Sequence, residues 1–536
     1  MRADSERSNR GAEYVLFAAV VVCVACAFFV MDYIPDDSYI SFRYAENLAA
    51  GHGLRFNPSE QPVEGYSNFL WILFCALVHT LGLNLPGAIP TVGTLLSIFN
   101  VTLLWALYRR RGMPALQMLV PLLVLAGSGP VVMYAVSGME MPLYAFLLLL
   151  MLFALDSVLV RGRTTDYVLL VAASFLLALC RPEGMAALPI AIGAVLWLRR
   201  RESPKARAEA RWRRKLFLSL LVFAACLCVY HFWRVSYFGE WLPTPFLSKG
   251  GGGVSLGFAW VENLKFYFVK HMYYTPPMGY YFFALFILSI AGLKLSRSEG
   301  GTRVTEGVAV LLVAVYALIY INFRDWMPGM RYHSPYIAVL LLPAAQLLTP
   351  VFAVERPKRS MAPFWLAGFA VVLLNLGVLA ELRVVAHIAE TSNQLCPVAL
   401  GKWLKKTMPS NAVLATSDVG AIPYYSGLET IDIHPNSLTD LTIAKNGFSI
   451  DYIAQRNPDV IIVPSRSFAV AKFYPEHFQM ASDKRFDETR LLGVSRADWY
   501  EDRSYWVYVK KSVPELTDEQ ASGFPTGLGT MRRVYK

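Results

Sequence analysis

Two adjacent aspartates, Asp36 and Asp37, open the stretch YIPDDSYISFRYAENLAAGHGLRFNPSEQPVEGYSNFLW, which begins at Tyr33 directly after an apolar run. Neighbouring carboxylates repel when both ionise; a nearby cation or metal ion, or a raised pKa on one of them, relieves this. A raised pKa suits a carboxylate to proton transfer near neutral pH. Other acids beside apolar runs are Glu64, Glu140, Glu183 and Asp325, and the matching cations are Arg43, Arg181, Lys249, Arg324 and Arg331. Ionisable groups held at a membrane boundary are costly, so each needs a partner or a task. Taken alone, the aspartate pair is a helix end in solvent. Its neighbours shift that weighting: Tyr39, Phe42, Tyr44 and Leu48 alternate with Arg43, Glu46 and Asn47. That pattern predicts an amphipathic helix over Ser38–Leu48 lying on a membrane surface, the placement expected where a substrate arrives on a lipid.

The elements that must position these residues are membrane spans. Of the 536 residues, 55% are hydrophobic and 17% charged, against about 25% charged in soluble domains. Roughly eleven to thirteen candidate spans recur along the first three quarters of the chain, among them Tyr14–Met31, Phe217–Tyr237 and Pro363–Leu382. The net charge of +11 sits in short clusters: Arg109–Arg111, Arg161 with Arg163, Arg199–Arg201 running on to Lys215, and Arg356–Arg359. Clusters of this kind beside apolar runs mark cytoplasmic loops. No basic surface is interleaved with exposed aromatics, so a nucleic-acid partner is excluded. With no small-residue cleavage site before Asp36, the first apolar run reads as an uncleaved helix with its N-terminus inside.

This topology places Asp36, Glu140 in SGMEMPLY, Arg181 in RPEG, and Arg324 to Arg331 on the outer side. One conflict arises: if Phe69–Leu85 and Ile89–Tyr108 both cross, Arg109–Arg111 falls outside. Either one of these segments is re-entrant, or Leu116–Met133, broken by GSGP, fails to cross. Beyond about Leu395 short β-rich runs appear at Val413–Thr416, Thr430–Ile433, Val460–Val463, Thr489–Val494 and Tyr505–Lys510. They predict a small α/β domain. The expected organisation is a polytopic all-α membrane domain over 1–394 and an extracytoplasmic α/β domain over 395–536. Six of the seven cysteines lie in or at the ends of apolar segments and read as core residues, and Cys396 alone falls in the tail.

Six motifs now stand in order: DDSYISFRYAENLAAGHGLRFNP with VEGYSNFLW, SGMEMPLYAFLL, RPEG, YFGEWLPTPFLSK, RDWMPGMRYHSP and SDVGAIPYYSGLETIDI. Together they resemble the GT-C membrane glycosyltransferases, and more narrowly the bacterial branch that includes the terminal arabinofuranosyltransferases of the actinobacterial cell wall. The lipid A aminoarabinose transferases and protein mannosyltransferases are more distantly similar. The resemblance implies a polyprenyl-phosphate sugar donor and a glycan or glycoprotein acceptor at the outer face of a bacterial plasma membrane. It implies the catalytic base in Asp36 or Asp37 and a second acid in Glu140. Arg43, Arg181, Lys249, Arg324 and Arg331 are the candidate ligands of the donor phosphate, since a glycosyl phosphate needs cations on its leaving group. Glu64, Tyr66, Asn68, Asp325 and His333 are candidate substrate contacts. This chain carries Pro243-Thr244-Pro245 where many relatives have Pro-Asn-Thr, so no role passes to that asparagine. A divalent cation is a candidate cofactor, and no redox cofactor is expected.

Two other classes compete. A transporter needs ionisable groups near mid-membrane and repeated halves, whereas these charges cluster at span ends and no repeat is visible. A receptor would use the outer loops and tail only to bind. Within the transferase class, mannose or another hexose is the alternative to arabinofuranose.

Overall fold

The computed structural model describes residues 2–31, 33–198, 210–250, 277–296, 300–320, 327, 329–349, 362–465, 489–497, 503–513 and a few positions between 517 and 525. In chain order the first helices are α1 (Arg2–Phe29), α2 (Asp36–Ala49), α3 (Phe69–Thr80), α4 (Leu85–Arg110), α5 (Ala115–Ala126), α6 (Gly129–Val136), α7 (Met141–Val160), α8 (Thr164–Cys180) and α9 (Ala187–Leu198). There follow α10 (Ala210–Phe238), α11 (Thr244–Gly250), α12 (Pro277–Leu295), α13 (Gly300–Tyr320), α14 (Tyr336–Ala344) and α15 (Ala362–Asn393). The last are α16 (Ala399–Thr407), α17 (Ala421–Ser426), α18 (Leu441–Asn446) and α19 (Ile450–Arg456), interleaved with β1 (Val413–Thr416), β2 (Glu429–Asp432) and β3 (Val460–Ser465), and then β4 (Thr489–Ala497) and β5 (Arg503–Lys510).

Two compact units emerge. One comprises Met1–Asp32, Gly87–His231 and Ser255–Val385; the other comprises Tyr33–Pro86, Phe232–Val254 and Ala386–Lys536. Among the described residues of the whole chain, six helices are long and apolar enough to cross a membrane, or seven if the pair α5 and α6, bent by 52°, is one broken span. The protein is a multi-pass membrane protein.

The first unit is helical. Its helix α7 reads MPLYAFLLLLMLFALDSVLV, apolar on every side until Asp156, the pattern of a buried or spanning helix. Pro142 sits in its first turn, where the missing N–H costs nothing. Helices α8, α13 and α14 pack against it. Glu140 stands at its start and Asp156 near its end, about 24 Å apart at 1.5 Å per residue. At the Asp156 end, the buried Arg111 donates from Nη2 to Asp156 at 3.4 Å and from Nε to Glu306 at 3.2 Å. Gln346 and Ser296 also donate to Glu306, at 2.8 and 2.6 Å. The Arg109–Arg111 cluster and SGMEMPLY therefore occupy opposite ends of one span. Of the segments in the sidedness conflict, α3 has 12 residues, about 18 Å of helix against a hydrocarbon thickness of about 30 Å, and the α5–α6 pair is bent.

In the second unit a five-stranded sheet has the order β2-β1-β3-β5-β4, with β1 parallel to β2 and β3 and with β5 antiparallel to β3 and β4. Alternate side chains face opposite ways along a strand, which splits the core in two. Leu414, Val460, Ile462, Val507 and Val509 pack with Leu400, Trp403 and Ile422 on one face. Ala415, Ile431, Ile461 and Val463 pack with Ile443 and Ile453 on the other. The sequence expectation of a membrane-surface helix at Ser38–Leu48 is corrected here. Helix α2 is enclosed by protein, with Ser38 through Ala45 all buried, and α3 and α17 pack on it.

Candidate active site

In the first unit, three of the motifs meet at the start of α7. Glu140 is fully buried. Arg181 donates from Nη1 to Glu140 Oε1 and from Nε to Glu183 Oε1. A second guanidinium, Arg331, reaches Glu140 Oε1 from Nη2 at 3.4 Å. The local sequence explains the placement of Arg181. Pro182 disfavours helical backbone in the residue before it, so Arg181 is extended (φ −155°, ψ 143°) and ends α8. Gly184 then lets the turn fold back so closely that a Cβ there would overlap the Leu177 carbonyl.

An aromatic wall surrounds these charges. Tyr320, at the end of α13, donates to Glu183 Oε1 and stacks on Tyr332 with ring centroids 5.0 Å apart. Both guanidiniums lie over the Tyr332 ring, at 5.1 Å for Arg181 and 5.5 Å for Arg331, within cation–π range. Tyr316 donates to the Glu183 carbonyl at 2.8 Å, and Tyr144 and Tyr336 share a hydroxyl contact of 3.2 Å. His333 packs its ring 5.6 Å from Tyr320 and 5.1 Å from Phe282. Burial alone would lower the Arg181 pKa; Glu183, Tyr320 and Glu140 outweigh it, and the guanidinium is held charged. The arrangement gathers two cations and two acids in an apolar setting, able to receive an anionic group beside fixed positive charge.

The aspartate pair lies in the second unit, half-buried in the first turn of α2. Asp36 accepts the amide hydrogens of Ala421 at 2.7 Å and Gly420 at 3.1 Å. Arg43 is buried, and its donors are taken up inside the unit. Nε reaches the Phe56 carbonyl at 2.8 Å, Nη1 the Pro423 carbonyl at 2.5 Å, and Nη2 the Leu428 carbonyl at 2.7 Å and Asn57 at 3.2 Å. Burial pulls its pKa down to about 10. The expectation of a phosphate ligand is corrected for this residue, because a guanidinium spent on three carbonyls ties backbone together and offers little to an incoming anion.

Glu64 accepts from Arg234 Nε at 2.5 Å, and burial pushes its pKa up to about 7 against the pull of that arginine. Arg234 also donates to the Trp241 carbonyl at 2.8 Å, while its buried Nη2 has no hydrogen-bond partner among the described residues. Tyr66 packs edge-on to Tyr44, with centroids 4.8 Å apart, and Asn68 donates to Ser41 at 3.1 Å.

The structure thus brings Glu140, Arg181, Arg331 and His333 together in one unit, and Asp36, Asp37, Arg43, Glu64, Tyr66 and Asn68 into the other. Arg324, Asp325 and the Lys249 side chain lie outside the described residues. Sequence reasoning missed Arg234, Tyr320 and Tyr332. RDWMPGMRYHSP contains Tyr332 between two named residues, which was the available signal. For the candidate divalent cation, no three His, Cys, Asp or Glu side chains gather as a metal-holding group among the described residues. Asp36, moreover, spends both oxygens on amides. No step is routed through a metal ion.

The fold defines a class. The archaeal oligosaccharyltransferase AglB from Archaeoglobus fulgidus, solved with an inhibitory peptide and a dolichol-phosphate, matches with a TM-score of 0.54 at 10% identity over 96% of this chain and 77% of that one. ArnT from Cupriavidus metallidurans bound to undecaprenyl phosphate matches with a TM-score of 0.52 at 15% identity over 94% and 99% of the two chains. The chain has the GT-C membrane glycosyltransferase fold.

In sequence it is similar to the terminal beta-(1->2)-arabinofuranosyltransferase of Corynebacterium glutamicum, 25% identical over 418 residues that make up 70% of this chain. The match spans 56% of that relative's own length. Residues 384–508 match a family described as Domain of unknown function (DUF8728).

Proposed function

We propose that this protein transfers D-arabinofuranose from a polyprenyl-phosphate donor to an extracytoplasmic glycan or glycoprotein acceptor, at the outer face of a bacterial plasma membrane. The observation that carries the reading is the meeting of Arg181 and Arg331 on the buried Glu140 at one end of a membrane span, in a chain of GT-C fold. The named activity of the Corynebacterium relative supports the sugar. The dolichol-phosphate and undecaprenyl phosphate of the two solved neighbours support a lipid-linked donor.

In this mechanism an acceptor hydroxyl attacks the anomeric carbon. The bond from that carbon to the phosphate oxygen breaks, and the hydroxyl proton passes to a carboxylate of the Asp36–Asp37 pair. Negative charge grows on the departing polyprenyl phosphate, and fixed guanidiniums stabilise it without reorganising. Arg331 is the better placed of the two cations, since its side chain keeps 13% exposure against 7% for Arg181. Glu140 orients both.

The test incubates purified protein with polyprenyl-phosphate arabinofuranose, polyprenyl-phosphate hexose and nucleotide sugars in parallel, with Asp36→Asn and Asp37→Asn as controls. Transfer from the first donor, lost in at least one control, is the expected result. Preference for the hexose donor replaces the sugar assignment, and transfer from a nucleotide sugar alone refutes the reading.

A further inference from the structure

Four side chains along α2 meet one short stretch of the C-terminal region. Asp36 accepts from Gly420 and Ala421. The Tyr39 ring packs 5.3 Å from Tyr424 and 5.4 Å from Tyr425. Arg43 donates to the Pro423 and Leu428 carbonyls, and Tyr424 donates to Glu46. Positions 36, 39, 43 and 46 follow one another at helical spacing, so they form one stripe on α2. A single segment, Gly420–Leu428, grips that stripe over about 15 Å. At its Asp36 end the backbones come so close that a Cβ on Gly420 would overlap both the Asp36 carbonyl oxygen and its carboxylate. Only glycine permits the contact.

We propose that Gly420–Leu428 is a positioning clamp for the acid pair, which makes the C-terminal region part of the catalytic machinery. The proposal rests on the reading of Asp36 and Asp37 as the acids of the reaction. Two amide donors, one on each oxygen, fix the plane of the Asp36 carboxylate. Asp37 follows about 100° further around the helix, so whatever holds Asp36 and rotates α2 also sets where Asp37 stands. Tyr39, Arg43 and Glu46 then prevent the helix from sliding or turning. The clamp also gives the SDVGAIPYYSG motif a task that neither donor nor acceptor contact requires.

The test uses the full chain with polyprenyl-phosphate arabinofuranose. Gly420→Ala displaces Asp36 and is expected to lower kcat about 100-fold, the cost of an ångström-scale misplacement, while donor KM stays within about twofold. Tyr424→Phe keeps the ring and deletes only the hydroxyl on Glu46; it is expected to fold normally and lower kcat about 5-fold with KM unchanged. If Gly420→Ala does not fold, Tyr424→Phe decides. Wild-type kcat in the folded variants, or a loss confined to KM, overturns the clamp. Asp36→Asn and Asp37→Asn run alongside, and wild-type transfer by both refutes the acid-pair reading instead. Hydrogen exchange separates the two failures without any substrate. In Asp36→Ala the amides of Gly420 and Ala421 are expected to exchange about 10-fold faster, and unchanged exchange overturns the clamp whatever the donor.

Discussion

Arg181 holds two glutamates at once, Glu140 from the start of α7 and Glu183 from its own turn. All three side chains are buried or nearly so, and the balance is tight, since a buried charge that loses its partner costs far more than the pair contributes. Arg181→Ala is therefore expected to lower stability by about 3–5 kcal/mol. The double change Arg181→Met with Glu140→Gln removes both charges and is expected to recover about 2 kcal/mol of that loss without recovering transfer. Denaturant unfolding in detergent measures both. A double variant no more stable than Arg181→Ala would show that Glu140 does not depend on this arginine.

Arg43 separates a structural arginine from a phosphate ligand. Arg43→Met keeps an unbranched stem, removes the guanidinium that lies 4.5 Å over the Phe56 ring, and strands the Phe56, Pro423 and Leu428 carbonyls. The expected loss is about 3 kcal/mol of stability, with donor KM unchanged in protein that remains folded. Arg331→Met is expected to do the reverse, raising donor KM with less cost in stability. Donor titration and thermal unfolding of the two variants check the contrast; weakened donor affinity in Arg43→Met would return that residue to the phosphate.

Much of the fold was legible because its signals are local. Val413–Thr416 is predicted and found at the same residues, and Thr430–Ile433 is shifted by one, to Glu429–Asp432. Short runs of branched apolar residues between breakers leave little choice. RPEG was legible as a site because an arginine before proline in an apolar setting needs a partner. Arg234 was not. It lies inside the apolar run of α10, where one arginine near a span end reads as an interfacial anchor, and its partner Glu64 is 170 positions away. The clamp on α2 joins residues 384 and 385 positions apart. An amphipathic pattern is the same whether a membrane or another part of the protein covers its apolar side, which is why α2 reads as a surface helix.

The Glu64–Arg234 pair predicts a pH dependence with a definite sign. Burial raises Glu64 from 4.5 to about 7 in the folded protein. Below about pH 4.5 both folded and unfolded chains hold the proton. Above it the unfolded chain releases the proton first, so stability falls as pH rises towards 7 and then levels. The full swing is at most about 3 kcal/mol. Unfolding at pH 5 and pH 8, compared between wild type and the double variant Glu64→Gln with Arg234→Met, isolates this contribution. The wild type is expected to lose more stability over that interval than the double variant; equal losses would mean that Glu64 is ionised throughout.

Sidedness is the remaining expectation, and α8 offers a direct test. Thr165 stands exposed near its start, beside the Arg161–Asp166 ion pair, and Met185 is exposed just beyond its end, two residues after Glu183. About 15 residues of helix, roughly 23 Å, separate the two ends. The basic clusters assign the Thr165 end to the cytoplasm and the Glu140–Arg181 end to the outside. In a background with the native cysteines replaced, Met185→Cys is expected to react with a membrane-impermeant maleimide on intact cells, and Thr165→Cys only after permeabilisation. The reverse pattern would put Glu140 on the cytoplasmic side, where nucleotide sugars are supplied, and would overturn the lipid-linked donor together with the topology. Protection of both positions in intact cells, with Met185→Cys labelled after permeabilisation, would have the same consequence, since it too places the Glu140 end inside.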